Sequence, residues 1–108
     1  MLRTFKFCTE FTTTQFLKLS NLQLSTLNDK IENFENVETS LSDGVLNIHL
    51  QNGKSFVINR QTPNKQLWYS SPISGPQRFN YINGKWVNSK QIEIENQLLN
   101  EINLLLIK

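Results

Sequence analysis

Hydrophobic residues in the first third of the chain recur at the spacing of an α-helix. From residue 12 onward they lie three or four positions apart, interrupted once by a glutamine, which places them on one helix face: Phe16, Leu19, Gln23, Leu27, Ile31 and Phe34. The threonine run at residues 12–14 can cap the N-terminus of such a helix. We therefore predict a helix over residues 13–33. Three leucines fall outside the main stripe: Leu17, Leu22 and Leu24.

The middle of the chain alternates between apolar and polar residues, as in strands with one buried face. Six short strands are predicted, beginning near Val37, Leu46, Ser55, Gln66, Gln77 and Lys85. Turn signals separate them, at residues 42–44, Asn52-Gly53, residues 62–64, residues 72–76 and Asn83-Gly84. The alternation predicts an inward set, Leu46, Ile48, Leu50, Ile58 and Leu67, and an outward set, Asn47, His49 and Trp68.

Helical spacing returns at the end of the sequence, in Ile94, Leu98, Leu99, Ile102, Leu105 and Leu106. The order is therefore helix, strands joined by short turns, helix. Because only one sheet face is apolar, both helices are expected on that face of an antiparallel sheet. The predicted fold class is an α+β two-layer sandwich. A chain of 108 residues can bury one core, which predicts a single domain over residues 1–108.

Composition indicates what kind of protein this is and in which kind of compartment it is found. Hydrophobic residues make up 38% and charged residues 19%, which is typical of a globular domain, and no apolar run reaches membrane-spanning length. The single cysteine, Cys8, cannot form an internal disulfide and has no zinc-binding or redox spacing, which favours a reducing compartment. Residues 1–11 begin with basic and apolar residues, which is typical of a short targeting leader. The alternative is that they are a segment leading into the first helix.

The net charge of +2 conceals a division along the chain. Acidic residues concentrate in one segment, which we call the acidic strip: Asp29, Glu32, Glu35, Glu38 and Asp43. Residues 44–92 contain no Asp or Glu and six Lys or Arg residues. If the first helix continues far enough, the first three acids share one flank. Carboxylates alone suit weakly held Fe²⁺, Mn²⁺, Ca²⁺ or Mg²⁺; a solvated acidic surface is the alternative.

A second candidate site lies on the exposed face of the predicted sheet. Alternation along neighbouring strands places five residues there: Asn59, Gln61, Gln66, Trp68 and Arg78. A flat polar surface centred on a tryptophan with an arginine nearby has the composition of an interaction hot spot. The alternative is a tryptophan that caps the open end of the core. Trp86 is expected to pack in the core. No catalytic residues are predicted, because no nucleophile lies at motif spacing from a base.

Residues 59–76 carry a specific resemblance. They read Asn-Arg-Gln-Thr-Pro-Asn-Lys-Gln-Leu-Trp-Tyr-Ser-Ser-Pro-Ile-Ser-Gly-Pro. This string resembles the signature segment of the frataxin family, Asn-(Lys/Arg)-Gln-Thr-Pro-Asn-Lys-Gln-(Ile/Leu)-Trp-Leu-Ser-Ser-Pro-x-Ser-Gly-Pro. The resemblance covers residues 35–87, and the two helices match by pattern only. It implies the same frataxin-like α+β fold that the periodicity predicts.

The resemblance also implies a function. Frataxins act in iron–sulfur cluster biogenesis, where they bind Fe²⁺ weakly through carboxylates and dock on cysteine desulfurase and the scaffold protein, to donate Fe²⁺ or activate sulfur transfer. The acidic strip occupies the region of the family's acidic ridge, and Glu38 fits its pattern best. Asn59, Gln61, Trp68 and Arg78 match residues with which relatives engage those partners. Residues 12–28 contain no acid, so a low iron capacity is expected.

Two rival functions remain open. Ferroxidase oxidation of Fe²⁺ to Fe³⁺ at the acidic strip is the main alternative, and oligomerisation would help it. Single-stranded nucleic-acid binding is the second. It is less favoured, because one tryptophan and scattered basic side chains make a poor platform for stacking nucleobases. We expect no nucleic-acid partner, no membrane association, and a monomer, with an iron-dependent oligomer as the alternative. The expected location is the mitochondrion or a derived organelle, with bacterial cytoplasm as the alternative.

Overall fold

The computed structural model describes residues 11–106, which form two helices and a six-stranded sheet. The helices are α1, Thr13–Ile31, and α2, Ile94–Leu106. The strands are β1, Val37–Ser42; β2, Val45–Leu50; β3, Ser55–Gln61; β4, Gln66–Ser71; β5, Gly75–Ile82; and β6, Lys85–Val87, with a 3₁₀ turn at Thr62–Asn64 between β3 and β4. The predicted α+β class is confirmed. Cys8 lies outside the described residues, and so does the leader predicted over residues 1–11, except for Phe11.

The N-terminus of α1 is fixed by reciprocal hydrogen bonds. The Thr12 hydroxyl accepts from the Gln15 backbone N–H at 3.1 Å, and the Gln15 side chain accepts from the Thr12 N–H at the same distance. These bonds satisfy two backbone donors that a helix start leaves unpaired. The helix ends at Ile31, two residues before the predicted end, and Asn36 then adopts a positive φ of 67°.

The buried face of α1 differs by part of a turn from the predicted stripe. Its buried residues are Phe16, Ser20, Leu24, Leu27 and Ile31. The prediction that Leu24 lies off the stripe was therefore wrong, and Gln23 lies at the edge of the buried face. The reason is Ser20, which breaks the apolar pattern although it is fully buried, and whose hydroxyl donates to the Leu17 carbonyl at 3.3 Å.

The sheet is an antiparallel meander in the order β1-β2-β3-β4-β5-β6. Its inward residues pack with both helices in one core, and the predicted inward residues are all buried: Leu46, Ile48, Leu50, Ile58 and Leu67. Trp86, only 2% exposed, lies with its ring centroid 6.0 Å from Phe16 and 5.1 Å from Tyr81, so its predicted packing role is confirmed. Both helices therefore cover one face, and within residues 11–106 no helix lies on the other face of the sheet. Within residues 11–106, neither helix is long and apolar enough to cross a membrane.

The turn between β1 and β2 requires a glycine. Asp43 and Gly44 both adopt positive φ, 51° and 76°, as a two-residue hairpin turn of type I′ demands. The Arg60 side chain passes over Gly44 and donates to the Asn21 side chain of α1. A Cβ at residue 44 would lie 2.6 Å from the Arg60 Cζ. Gly44 therefore leaves room for the Arg60 side chain, which joins β3 to α1.

Candidate functional site

The helix-free face of the sheet brings the five predicted partner-binding residues together. In the strand register, Asn59 on β3 stands opposite Trp68 on β4, and Trp68 stands opposite Arg78 on β5. Gln61 and Gln66 form the next opposed pair. Because directly opposed side chains on one sheet face lie about 5 Å apart, the five residues form one contiguous surface. We call these residues the tryptophan patch.

Trp68 is held in place at the centre of the tryptophan patch. Its Nε1–H donates to the Gln66 Oε1 at 2.9 Å, and the Arg78 Cζ lies 5.0 Å from the centroid of its rings. A guanidinium at this distance from an indole makes an attractive cation–π contact. These two neighbours leave Trp68 partly exposed. The predicted outward direction is confirmed, and neither of the two described helices covers the ring.

The amide side chains around Trp68 also bond to one another. Gln66 Nε2 donates to the Asn80 Oδ1 at 3.2 Å, and Asn59 Nδ2 donates to the Gln61 Oε1 at 3.4 Å. Asn80 was not predicted as a site residue. The signal was available, because Asn80 lies two positions after Arg78 on the same strand and so shares its face.

An open groove of about 760 Å³ runs across this face and includes most of the tryptophan patch. Apolar surface from Val57 and Pro76 contributes to it, and Asn88 and Ser89 from the loop after β6 complete its rim. Asn88 is anchored, since its Oδ1 accepts from the backbone N–H of Lys90 and of Ile92, both at 2.9 Å. Nothing in the strand pattern could have placed residues 88 and 89 here, because they follow the last strand.

The acidic strip does not form a comparable cluster. Asp29 lies in the last turn of α1, Glu32 is its C-cap, Glu35 follows in the loop, Glu38 is on β1 and Asp43 is in the β1–β2 turn. The predicted shared helix flank is wrong for Glu35, because α1 ends before it. All five side chains are exposed. Among residues 11–106, no three His, Cys, Asp or Glu side chains lie close enough together to hold one metal ion.

One residue of the acidic strip has a histidine beside it on the neighbouring strand. Glu38 on β1 stands directly opposite His49 on β2, on the helix-free face. A carboxylate and an imidazole can provide at most two ligands to one cation, fewer than a closed site requires. The carboxylates of the acidic strip are therefore exposed and separate, and they do not form a preformed cage for a cation.

A buried polar pair lies on the opposite, helix-covered face. Tyr69 on β4 donates from its hydroxyl to Oε1 of Glu101 on α2, and Gln97 donates to the other carboxylate oxygen at 2.8 Å. Burial, followed by the Glu101 contact, raises the pKa of Tyr69 well above its usual value. Burial alone would raise the pKa of Glu101, but hydrogen bonds from Tyr69, Ser71, Ser74 and Gln97 outweigh it and lower that pKa.

This pair was missed in the sequence. Tyr69 has the spacing of a core residue, and Glu101 interrupts the apolar stripe of α2, so that neither residue alone indicated a polar partner. Tyr69 also stands where the frataxin signature segment has leucine. The pair joins α2 to the strand that carries Trp68.

Known proteins resemble this chain over most of its length. The family described as the frataxin-like domain matches residues 9–106. "Frataxin, mitochondrial" of Dictyostelium discoideum is 49% identical over 74 residues, which is 66% of this chain and 38% of that protein. "Frataxin homolog, mitochondrial" of Drosophila melanogaster is 38% identical over 81 residues, which is 69% of this chain and 42% of that protein. The chain thus spans less than half the length of these relatives.

Solved structures agree with the fold. Frataxin from Psychromonas ingrahamii matches with a TM-score of 0.80 and 24% identity, over 88% of this chain and 91% of that one, which is a likeness of fold. Trimeric frataxin from Saccharomyces cerevisiae, crystallised in a ferrous complex, matches with a TM-score of 0.73 and 33% identity, over 83% of this chain and 87% of that one. With its two helices on one face of a six-stranded sheet and a family match from residue 9 to residue 106, the chain belongs to the frataxin-like domain family.

Proposed function

We propose that this protein is an iron-binding component of iron–sulfur cluster biogenesis. In this proposal it docks through the tryptophan patch on a complex of cysteine desulfurase and scaffold protein. Fe²⁺ is its cargo, held weakly by the acidic strip, and the protein either donates this Fe²⁺ or activates sulfur transfer. Membership of the frataxin-like domain family supports an iron-related role, as does the ferrous complex of the yeast relative.

The observation that carries the docking proposal is the arrangement around Trp68. A large aromatic side chain is presented from a strand in the middle of a sheet, with an arginine on its ring and amides at its edge. Tryptophan and arginine are the residue types that most often dominate binding energy in protein interfaces. The ring is fixed before binding, so little side-chain entropy is lost when a partner covers it.

Calorimetric titration of a purified desulfurase–scaffold complex tests the docking proposal. Trp68→Ala should weaken binding by about 2 kcal/mol or more, since it removes the central anchor. The free energy of unfolding should change by less than about 1 kcal/mol, because Trp68 contributes little to the core. Ile82→Ala is the matched control: Ile82 is 50% exposed on β5, outside the groove, and its truncation should leave binding unchanged. Unchanged binding by Trp68→Ala, or global unfolding of that variant, would contradict the docking proposal.

Iron binding is proposed to be weak, with a Kd on the order of micromolar or poorer, because separate exposed carboxylates form no closed cage. Fe²⁺ or Mn²⁺ should broaden backbone amide NMR signals between residues 29 and 43. The effect should fall strongly in the variant that carries Glu32→Gln, Glu35→Gln and Glu38→Gln. Broadening centred elsewhere would show that the acidic strip is not the iron site.

The ferroxidase alternative makes a different prediction. Oxygen would be consumed steadily when Fe²⁺ is added, and that consumption would disappear in a Glu35→Gln and Glu38→Gln double variant.

We propose that the protein is a monomer without iron. An iron-dependent oligomer is the alternative, since the yeast relative is described as trimeric. We also propose a mitochondrial or mitochondrion-derived location, because the relatives are named mitochondrial frataxins; bacterial cytoplasm is the alternative.

A further inference from the structure

The groove over the tryptophan patch has an unusual balance of charge. Among residues 11–106, Arg78 is the only charged side chain that lines it, and no carboxylate does so. Within residues 11–106 the only ion pair joins Lys30 to Glu95, on the two helices, so Arg78 has no acidic partner in the described chain. The acid-free stretch from residue 44 to residue 92 provides β2 to β6 and the loop that follows them. A partner group that is negatively charged would therefore meet no repulsion in this groove.

The polar groups of the groove are mostly side-chain amides. Asn59, Gln66 and Asn80 line it, and Asn88 lies at its rim. Asparagine and glutamine carry the same donor and acceptor groups as a peptide bond. Gln66 uses its oxygen for Trp68 and one N–H for Asn80, which leaves a second N–H; Asn80 has two N–H groups with no acceptor in the described chain. The hydrogen bonds thus orient the amides and still leave several donors free.

The backbone of the two central strands beneath the groove, β3 and β4, cannot take part in binding. β3 and β4 each have paired neighbours on both sides, so their N–H and C=O groups are already used within the sheet. A partner cannot add a strand to β3 or β4, where the free amide side chains are the available hydrogen-bonding groups. Val57, Trp68 and Pro76 add apolar surface to the same groove.

We propose that the groove accepts an extended polypeptide segment of the docking partner, which crosses the strands and places a carboxylate side chain on Arg78. The free amides would bond to the peptide groups of that segment, and Trp68 would contact an apolar or small side chain beside the carboxylate. This proposal rests on the proposed docking function and specifies the chemistry of the partner. Arginine is suited to the task, since its planar guanidinium can stack on Trp68 and still donate two parallel bonds to a carboxylate.

The dimensions fit a short segment. The groove extends from β3 across β4 and β5 to the loop at residues 88 and 89, which is three intervals between neighbouring chain segments. With about 4.8 Å between neighbouring segments, the groove is about 14 Å long. An extended chain rises about 3.3 Å per residue, so about four residues span this length. A single-stranded nucleic acid is less favoured, because the groove offers one stacking ring and one cation.

Blocked synthetic peptides of about six residues test the proposal. One peptide contains a central glutamate among serine and alanine residues, and its twin contains glutamine at that position. Each is titrated into the full chain, with ¹⁵N NMR of the Trp68 indole N–H and of the side-chain amides of Gln66 and Asn80. We expect these signals to shift with the glutamate peptide and affinity to be about fivefold lower for the glutamine peptide, the effect of one partly exposed ion pair.

Two charge variants test whether the affinity difference between the peptides depends on Arg78. Arg78→Gln should abolish the difference between the two peptides, whereas Lys54→Gln, which removes the same charge in the β2–β3 turn outside the groove, should preserve it. Equal binding of both peptides by the unmodified chain, absence of shifts at the three signals, or stronger shifts with an oligothymidine would each overturn the proposal. Docking of the desulfurase–scaffold complex through Trp68 without any peptide effect would refute this inference alone. Peptide binding without docking of that complex would instead refute the proposed function.

Discussion

Removal of one buried hydroxyl tests how α2 is joined to the sheet. In Tyr69→Phe the ring remains in the core, where it packs edge-on against Phe56 and Phe79, while the hydrogen bond to Glu101 is lost. Glu101 is only 5% exposed, so water cannot easily replace the missing donor. The cost is therefore that of a buried, charged acceptor with one donor fewer.

The magnitude follows from the remaining contacts of Glu101. A hydrogen bond to a charged group contributes about 1.5–3 kcal/mol, and the lower end applies because Gln97 still donates to the other oxygen. We expect Tyr69→Phe to lower the free energy of unfolding by about 1.5–2 kcal/mol and Tm by about 6–12 °C. Tyr81→Phe is the control, since no hydrogen bond of its hydroxyl is found within residues 11–106. Urea and thermal unfolding of both variants give the comparison. A loss below about 0.5 kcal/mol for Tyr69→Phe would refute the reasoning.

The same pair predicts a pH dependence of stability. The pKa of Glu101 is lowered in the folded protein relative to its ordinary value of 4.5, so the folded state holds its proton less tightly than the unfolded state. Its contribution is present above the unfolded pKa and is lost as the pH falls through the folded pKa. The pKa of Tyr69 is raised from 10.0, so the tyrosine destabilises the fold as the pH rises above that value. Glu101→Gln should remove the acid part of this dependence, and an unchanged acid limb in that variant would show that other carboxylates produce it.

Two further predictions concern the region around β1. Replacement of the three glutamates of the acidic strip by glutamine should raise Tm by about 2–4 °C, because negative charge near a helix C-terminus opposes the helix dipole, and the test is thermal melting at low salt. Gly44→Ala should destabilise the protein more than Gly84→Ala in urea unfolding. Both glycines have positive φ, 76° and 81°, but only at residue 44 would the new Cβ displace the Arg60 side chain. Equal losses in the two alanine variants would show that backbone strain alone determines the cost.

The sheet and its exposed face could be predicted from the sequence because alternation carries both kinds of information. A strand buried on one face fixes the direction of every second side chain, so the inward position of Leu67 already places Trp68 outward. The turn signals then determine which strands are neighbours. Asn59 and Arg78 follow from the same rule, which is why the predicted patch and the observed patch agree.

The features that were missed depend on contacts between distant parts of the chain. Leu24 appeared to lie off the helical stripe because Ser20, a polar residue, occupies a buried position that periodicity assigns to apolar residues. Glu101 has the sequence properties of an exposed acid, and only the approach of α2 to β4 makes it an acceptor for Tyr69. The chain leaves α1 at Ile31 and passes through Asn36, which has a positive φ, before β1 begins, and helical periodicity does not reveal these features.

In the proposed function, the tryptophan patch on paired strands would provide a rigid docking surface, and the acidic strip would provide a weak iron site. Trp68 lies on β4, whose backbone is bonded on both sides and whose inward residues Leu67 and Tyr69 are buried in the core. Its orientation is thus fixed by the same packing that stabilises the fold. The acidic strip lies instead on a helix end, a loop, the edge strand β1 and a turn. Carboxylates placed on such separate supports cannot enclose a cation, so that in the proposed function Fe²⁺ would be released from them without any rearrangement of the core.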